Sequence, residues 1–182
     1  MLTRNHGAQI CYTPMLHSRL FATEPKYRQQ NFKACPEDRP LAVQFCSNDP
    51  DTLLQAAKFV ENDCDAVDIN LGCPQGIARK GNYGSFLLEQ KDLIVAMVSK
   101  LHKELKVPVT CKIRCLPTEQ QTLELALAIQ DAGASLLTVH GRCKEHNKHL
   151  CGGANYDIIR KVKQALDIPV IANGGIATFD DI

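Results

Sequence analysis

The segment AVDINLGCPQ, residues 66–75, runs from a short apolar strand into a loop. Residues 66–70 have the apolar character of a buried strand, and Gly72 and Pro74 then end it. This pattern predicts that Cys73 lies at the carboxyl end of the strand and not inside a core. In an α/β barrel, the carboxyl ends of the strands carry the catalytic groups. The segment therefore predicts a buried parallel strand and a place for chemistry.

Five further apolar runs of strand length alternate with four amphipathic runs of helical length. The strands are expected at 8–12, 41–45, 109–113, 136–140 and 170–172, and the helices at 51–62, 91–105, 119–132 and 156–166. This alternation is typical of a parallel sheet built from βα units. A complete (β/α)8 TIM barrel has roughly 250 residues, whereas this chain has 182. We expect an α/β fold, an incomplete TIM barrel with about six of the eight strands.

Composition and charge indicate an ordinary globular chain. Hydrophobic residues make up 45% and charged residues 23%, and 21 basic against 20 acidic residues give a net charge of +1. This balance provides no general attraction to a polyanion, so a nucleic-acid site would depend on local patches. No stretch reaches the roughly 20 apolar residues of a membrane span. We expect no membrane association and infer no obligate protein partner.

The nine cysteines do not indicate a disulfide framework. Their number is odd, their spacing is irregular, and the first residues lack the apolar core of a signal peptide. Reduced and mostly buried thiols fit an intracellular protein better. We expect a cytoplasmic location, with the nucleus as the other compartment.

Polar side chains interrupt the apolar runs at or near the expected carboxyl ends of successive strands. They are Gln44, Asn70 with Cys73, Lys112 with Arg114, His140 with Arg142, and the run Asn173-Gly174-Gly175. One polar strand end would carry little weight, but five at equivalent positions predict a site at the mouth of the barrel.

These residues also form a set of short motifs. In chain order they are Val43-Gln44, NLGCP at 70–74, Lys80-Gly81 followed by Gly84, KIR at 112–114, HGR at 140–142 and ANGGI at 172–176. The chain resembles the tRNA-dihydrouridine synthase family through these motifs. Segments 4–8, 11–15 and 79–84 are most similar to the eukaryotic branch that acts on positions 16 and 17 of the tRNA D loop.

The resemblance implies an activity and a cofactor. Members of this family are FMN-dependent barrels that use NADPH to reduce uridine in tRNA to dihydrouridine. Hydride reaches C6 of the uracil ring, and C5 then takes a proton, which the resemblance assigns to Cys73. Free thiols titrate near ~8.5 and are therefore mostly protonated at neutral pH, so a cysteine can serve as the general acid.

The resemblance also implies the binding residues. Gln44, Lys112, His140 and the run 173–175 (Asn173, Gly174 and Gly175) would hold FMN, with the glycine turn around its phosphate. Asn70, Arg114 and Arg142 would contact the flipped uridine and nearby phosphates. A first strand with Pro-Met and a C-terminal tRNA-binding helical domain are expected in the family but are not found here. We therefore expect a partial catalytic domain over residues 1–182 with weak FMN retention and doubtful activity.

Structural alternatives compete with several of these assignments. Cys73 could be a small buried hydrophobe, Gln44 a capped strand end, and Lys112 the ion-pair partner of Asp68. The Gly-Gly run could be a plain βα turn. Basic residues that could face tRNA could equally form a solvated loop; they are Arg79, Lys80, Lys144 and Lys148.

A zinc site is the competing reading of one loop. Its candidate ligands are His140, Cys143, His146, His149 and Cys151. They lack a clean paired motif, and we assign no metal. At the level of function, the alternatives are a flavin-dependent reductase of free pyrimidines and a non-catalytic RNA-binding or interaction remnant.

Overall fold

The centre of the molecule is a parallel β-sheet. A computed structural model describes residues 2–146 and 152–178, and the sheet in these ranges has seven strands. Neighbouring strands follow the order β1-β3-β4-β5-β6-β7, with β2 paired to β3. The strands are β1 Cys11–Tyr12, β2 Leu16–His17, β3 Leu41–Cys46, β4 Ala66–Leu71, β5 Val109–Cys115, β6 Leu136–Cys143 and β7 Val170–Asn173.

The helices connect the strands and cover one face of the sheet. They are α1 Leu2–Asn5, α2 Ser18–Thr23, α3 Pro25–Asn31, α4 Pro50–Lys58, α5 Gly76–Gly81, α6 Lys91–Glu104, α7 Glu119–Asp131 and α8 Tyr156–Ala165, with a 3₁₀ turn at Gly84–Leu87. The four predicted helices are confirmed as α4, α6, α7 and α8. The four other α-helices were not predicted, because they are too short to show an apolar period. No helix within the described ranges is long and apolar enough to span a membrane.

All paired strands run parallel, and from β3 onward each strand lies beside the next one in the chain. Helix α4 joins β3 to β4, α6 precedes β5, α7 joins β5 to β6, and α8 precedes β7. This order of strands and crossover helices is the topology of the (β/α)8 barrel. The expected α/β fold, an incomplete TIM barrel, is confirmed.

The predicted strand 8–12 differs from the structure. It contributes only β1, and the chain returns to the same neighbour as β2 after an interruption at 13–15. Proline at position 14 has no N–H for the ladder. The Thr13 hydroxyl accepts the backbone N–H of Gln44 at 3.0 Å instead. The sequence rule missed this break because it reads apolar character and not ladder hydrogen bonds.

Alternation along each strand separates the core from the site. In β4, Val67, Ile69 and Leu71 are fully buried in the hydrophobic core that the helices cover. Asp68 and Asn70 therefore lie on the opposite face, called here the inner face, because successive residues of a strand point to opposite sides. The same parity places Gln44 of β3 and Lys112 of β5 on the inner face.

Side chains cap the N-termini of three crossover helices, α4, α7 and α8. Asp49 accepts the N–H of Thr52 at the start of α4, and Thr118 forms a capping box with Gln121 at the start of α7. Asn155 accepts the N–H of Ile158 at the start of α8. Each cap satisfies backbone donors that the helix itself leaves open.

Candidate active site at the strand ends

Strand register brings the predicted residues onto one surface. Gln44 pairs with Asp68, and Asn70 pairs with Lys112. Arg114 pairs with His140, and His140 pairs with Asn173. The predicted polar positions thus form neighbouring rows along the inner face, from β3 to β7. Arg114 and His140 lie within longer strands than expected, since β5 reaches Cys115 and β6 reaches Cys143.

Hydrogen bonds from three directions hold the backbone of the Cys73 loop. Asn70 Oδ1 accepts the N–H groups of Gly72 at 3.1 Å and of Cys73 at 3.0 Å. Arg114 Nε donates to the Gly72 carbonyl at 2.7 Å. The Cys73 carbonyl accepts both the N–H of Ser85 at 3.1 Å and its hydroxyl at 2.9 Å. The loop is therefore fixed on both sides of the cysteine.

The close approach of the 3₁₀ turn to this loop requires a glycine. Gly84 has φ +65°, and a Cβ there would lie 2.8 Å from the Cys73 carbonyl oxygen. Real side chains do not approach that closely, so the turn could not pack against the loop with a larger residue. The glycine noted in the sequence motif thus has a positional reason.

The thiol of Cys73 is free and half-buried. It packs against a small apolar cluster that contains Cys46 and Tyr83. Cys111, by contrast, is completely buried, and burial raises its pKa well above the usual value. Cys73 is thus more exposed than Cys111, although it packs against an apolar cluster, and its catalytic role stays a prediction.

The amides of Gln44 and Asn70 are hydrogen-bonded to each other. Asn70 Nδ2 donates to Gln44 Oε1 at 2.8 Å, and Gln44 Nε2 donates to Asp68 Oδ2 at 2.7 Å. Thr110 Oγ1 donates to the other carboxylate oxygen, Oδ1, at 2.6 Å. Gln44 and Asn70 therefore have protein partners at both amide atoms, and their predicted contacts with cofactor and substrate would use the remaining hydrogens and lone pairs.

Lys112 does not form the ion pair with Asp68 that the alternative interpretation required. Within the described residues, the ion pairs do not include this one, and both Asp68 oxygens accept other hydrogen bonds. Burial lowers the pKa of Lys112, the charge of Arg114 lowers it further, and Asp68 raises it. A half-buried cation of this kind suits an anionic or polar ligand.

His140 and the glycine turn form a second group at the end of β6 and β7. His140 Nδ1 is buried and has no hydrogen-bond partner in the described structure. Burial lowers the pKa of His140 to about 4, with further lowering by Arg114, Lys112 and Arg142. The lowered pKa favours the neutral imidazole at physiological pH, and its buried Nδ1 is left without a hydrogen-bond partner among the described residues.

The turn at Gly174-Gly175 packs directly against this imidazole. Both glycines have positive φ, +102° and +80°, and a Cβ on Gly174 would lie 2.6 Å from His140 Cε1. The Tyr156 hydroxyl donates to the Gly174 carbonyl at 2.6 Å. The ring and the turn fit only if position 174 has no side chain, and the phosphate-binding role of the turn stays a prediction.

The basic residues have separate surroundings. Arg142 Nε donates to the Gly152 carbonyl at 2.7 Å, and Lys144 forms an ion pair with Glu89 at 2.5 Å. Arg79 and Lys80 lie in the last turn of α5. Lys148 lies outside the described residues, so the predicted basic surface is described only in part.

The described part of the zinc alternative does not assemble. No group of three or more metal-ligating side chains occurs among the described residues. Cys143 Sγ instead donates to the Leu116 carbonyl at 3.5 Å, and the Cys143 N–H donates to His146 Nδ1 at 3.4 Å. His149 and Cys151 lie outside the described residues.

Sequence reasoning missed several residues that shape the site. It considered Asp68 only as a partner of Lys112, and it assigned no role to Thr110, Ser85 or Tyr156. The alternation of residues along a strand could have identified Asp68 and Thr110. Asp68 shares its strand face with Asn70, and Thr110 shares its face with Lys112, so each polar pair marks the inner face of an otherwise apolar strand.

Comparison with known proteins gives family matches. The family model described as "Dihydrouridine synthase (Dus)" matches residues 1–182. A Rattus norvegicus protein named tRNA-dihydrouridine(16/17) synthase [NAD(P)(+)]-like is 50% identical over 184 residues. A Saccharomyces cerevisiae tRNA-dihydrouridine(16/17) synthase [NAD(P)(+)] is 52% identical over 187 residues. Each match covers 100% of this chain, which spans 42% of the rat protein and 44% of the yeast protein.

Solved structures support the fold at low identity. DHODH from Eimeria tenella has a TM-score of 0.53 at 17% identity, covering 88% of this chain and 50% of that chain. Phospho-2-dehydro-3-deoxyheptonate aldolase from Thermotoga maritima has a TM-score of 0.51 at 14% identity, covering 92% and 43%. At this level of identity the likeness concerns architecture alone. Because the family model matches the whole chain and half of the aligned positions are identical in named synthases, the chain belongs to the dihydrouridine synthase family.

Proposed function

We propose that this chain carries the catalytic core of a flavin-dependent tRNA-dihydrouridine synthase that acts on D-loop positions 16 and 17 with NADPH as reductant. The observation that carries the proposal is the Cys73 loop, which presents a free, half-buried thiol at the end of β4. Asn70 accepts a hydrogen bond from this loop, and Arg114 and Ser85 donate to it. Relatives that are about half identical bear names with the same tRNA positions and with NAD(P)(+).

FMN is the cofactor that the resemblance implies, and three features of the inner face fit it. Lys112 is a half-buried cation without a carboxylate in ion-pair range among the described residues. His140 offers an unpartnered buried nitrogen. Gly174 and Gly175 shape a turn in which a Cβ would collide with the imidazole or crowd the Tyr156 hydroxyl. When bound, FMN would supply the hydride that C6 of the uracil ring receives.

The residues of this chain would then perform binding and proton transfer. Lys112 would stabilise negative charge near the pyrimidine end of the flavin, and the 173–175 turn would bind the phosphate through backbone N–H groups. Cys73 Sγ–H would donate the proton that C5 takes. Arg114 and Arg142 would face the extracted nucleotide, which must leave the base stack before C5 and C6 are accessible.

The test is reduction of a defined tRNA by the full-length natural protein. An unmodified tRNA transcript, FMN and NADPH are supplied, and dihydrouridine is mapped by mass spectrometry. We expect dihydrouridine at positions 16 and 17 and none with Cys73→Ala. Reduction of free uridine or uracil but not of tRNA would favour the pyrimidine-reductase alternative. RNA binding without flavin retention would favour the non-catalytic alternative.

A tRNA substrate also implies a compartment. We propose an intracellular site of action, cytoplasmic or nuclear. Fractionation of cells that express the tagged protein tests this proposal, and recovery in the secreted fraction would contradict it.

A further inference from the structure

An amide relay on the inner face connects a buried carboxylate to the backbone at Cys73. The relay consists of Asp68, Gln44 and Asn70, with hydrogen bonds of 2.7 Å between the first two and 2.8 Å between the last two. At its far end, Asn70 Oδ1 accepts the Cys73 N–H at 3.0 Å. Thr110 holds the other carboxylate oxygen at 2.6 Å. The relay thus runs from β4 to β3 and back to β4 before it reaches the loop, and Thr110 of β5 supports its first member.

The two ends of the relay determine the direction of every hydrogen bond in it. A backbone N–H can only donate, so Asn70 must turn its oxygen toward Cys73 and its NH2 group toward Gln44. Gln44 must then present Oε1 to Asn70 and Nε2 to position 68. The side chain at position 68 must therefore accept, and an ionised carboxylate can only accept.

Burial makes this requirement strict. Asp68 is 0% exposed and Gln44 is 8% exposed, so water cannot replace a lost partner. Burial raises the pKa of Asp68 to about 6, while Thr110, Gln44 and the charge of Lys112 lower it. The carboxylate is thus ionised at neutral pH. Burial raises the pKa of Tyr12 of β1, and the charge of Asp68 raises it further.

We propose that Asp68 is a positioning residue for Cys73. Its carboxylate sets the direction of the amide relay and so keeps Gln44 and Asn70 in the orientation that holds the Cys73 backbone. The consequence for catalysis rests on the proposed function, in which Cys73 donates a proton. The positioning itself is a property of the folded chain and can be tested without activity.

Moving the charge along the relay gives the sharpest test. With Asn70→Asp, one oxygen still accepts from the loop, but Gln44 now lies between two carboxylates and can offer its NH2 group to only one. Adding Asp68→Asn supplies a donor for Gln44 Oε1 and still leaves an acceptor for Thr110. In urea unfolding of the full-length natural protein at pH 7.5, we expect Asn70→Asp to lower the folding equilibrium constant at least ~30-fold and the double variant to recover to within ~5-fold of wild type.

A matched control separates hydrogen-bond direction from charge repulsion. Asn70→Asp combined with Asp68→Leu also removes the second charge but supplies no donor to Gln44, so we expect no recovery. Equal recovery in the two double variants would mean repulsion alone and would overturn the proposal. The absence of any loss with Asn70→Asp, or of recovery with Asp68→Asn, would also overturn it.

Alkylation of Cys73 provides a second measurement if Asn70→Asp fails to fold. Peptide mapping after iodoacetamide treatment reports the rate for this cysteine separately from the others. Asp68→Leu should change the rate at least ~5-fold, because the buried Gln44 amide loses its acceptor. Thr110→Val and Asp68→Asn keep an acceptor for Gln44 and should stay within ~2-fold. Equal rates for all three would contradict the positioning role.

The proposed function and this inference fail separately. If the substitutions at positions 68 and 70 are coupled but the wild-type protein forms no dihydrouridine, only the proposed function is overturned. An active wild-type protein without coupling between positions 68 and 70 would overturn only the role of Asp68.

Discussion

The carboxyl ends of β4 and β6 differ in whether their polar groups have hydrogen-bond partners within the protein. At β4, the Cys73 loop and the amide relay form a closed network in which each amide has a protein partner at both atoms. At β6, His140 keeps a buried nitrogen without a partner in the described structure, beside a turn that tolerates only glycine. A satisfied network maintains geometry, whereas unsatisfied buried groups indicate a ligand. We therefore propose that the β4 end is organised for chemistry and that the β6 end contributes to cofactor binding.

The largest expected effect comes from removing the thiol at the β4 end. Cys73→Ala should lower the rate of dihydrouridine formation at least ~100-fold, because a positioned general acid contributes roughly that much or more. FMN retention should change little, because Cys73 is not among the residues that would hold the cofactor. The measurement is single-turnover reduction of tRNA by the flavin-loaded full-length protein.

The control for this substitution is Cys35→Ala. Cys35 is also half-buried and free, but it lies in the segment between α3 and β3 and not on a strand of the inner face. We expect wild-type rates from it. If Cys73→Ala released FMN as well as blocking reduction, the separation of the two ends would be wrong.

The next largest effect concerns the turn at the β6 end. Gly174→Ala should weaken FMN retention at least ~10-fold, because a side chain at φ +102° is strained and would meet His140 Cε1 at 2.6 Å. Displacement of the imidazole would remove the fit between ring and turn. Equilibrium dialysis with free FMN measures the change directly.

Gly76→Ala is the matched control for the turn. A Cβ at Gly76 would have no heavy atom within 4 Å, and its φ is not positive. FMN retention should remain unchanged. Equal loss from both alanines would show that the β6 turn is not part of the cofactor site.

The sequence predicted the sheet because near-continuous apolar runs of strand length are typical of the strands in a parallel sheet. It predicted which residues gather because alternation follows directly from a strand, so Gln44, Lys112 and His140 could be assigned to one surface from the sequence alone. It could not predict the break in the first strand, which depends on the hydroxyl of Thr13 replacing a ladder partner.

The direction of the relay was also beyond sequence reasoning. The sequence shows Asp68 as an acid in a buried strand. It does not show which neighbouring side chains the carboxylate contacts. The alternative interpretation paired Asp68 with Lys112, whereas Gln44 and Thr110 are the observed partners. A side-chain hydrogen bond across two strands depends on distances of a few tenths of an ångström, which a pattern of residue types does not contain.

The contributions of the two ends to folding stability should also change with pH in opposite directions. The pKa of Asp68 is raised to about 6, so the folded state retains a proton that the unfolded state releases, and this contribution to stability is lost as pH rises from about 4 to 6. The pKa of His140 is lowered to about 4, so its contribution is lost as pH falls from about 6.5 to 4. The two terms oppose each other in the same range.

The Tm of each variant minus that of the wild type, measured between pH 4.5 and 6, separates the contributions of Asp68 and His140. Relative to wild type, Asp68→Asn should gain stability as pH rises, because the opposing acid term is removed. His140→Gln should lose stability relative to wild type over the same range. Parallel curves for all three proteins would contradict the two pKa shifts and the contrast between the ends.

The smallest expected effect tests how redundant the β4 network is. Ser85→Ala removes the hydroxyl that donates to the Cys73 carbonyl at 2.9 Å, but the Ser85 N–H still donates to the same oxygen at 3.1 Å. The carbonyl therefore stays satisfied, and the free energy of unfolding should fall by only about 0.5–1.5 kcal/mol, with a rate of reduction within ~3-fold of wild type. Thr122→Val is the matched control, because it removes a fully buried hydroxyl that bonds Leu116 and Thr118 away from the inner face. It should cost at least as much stability, because the Leu116 N–H loses its acceptor, and it should leave the rate unchanged. A rate loss of tenfold or more from Ser85→Ala would mean that the hydroxyl, and not the backbone, determines the position of Cys73, and the β4 end would then depend on one side chain instead of a closed network.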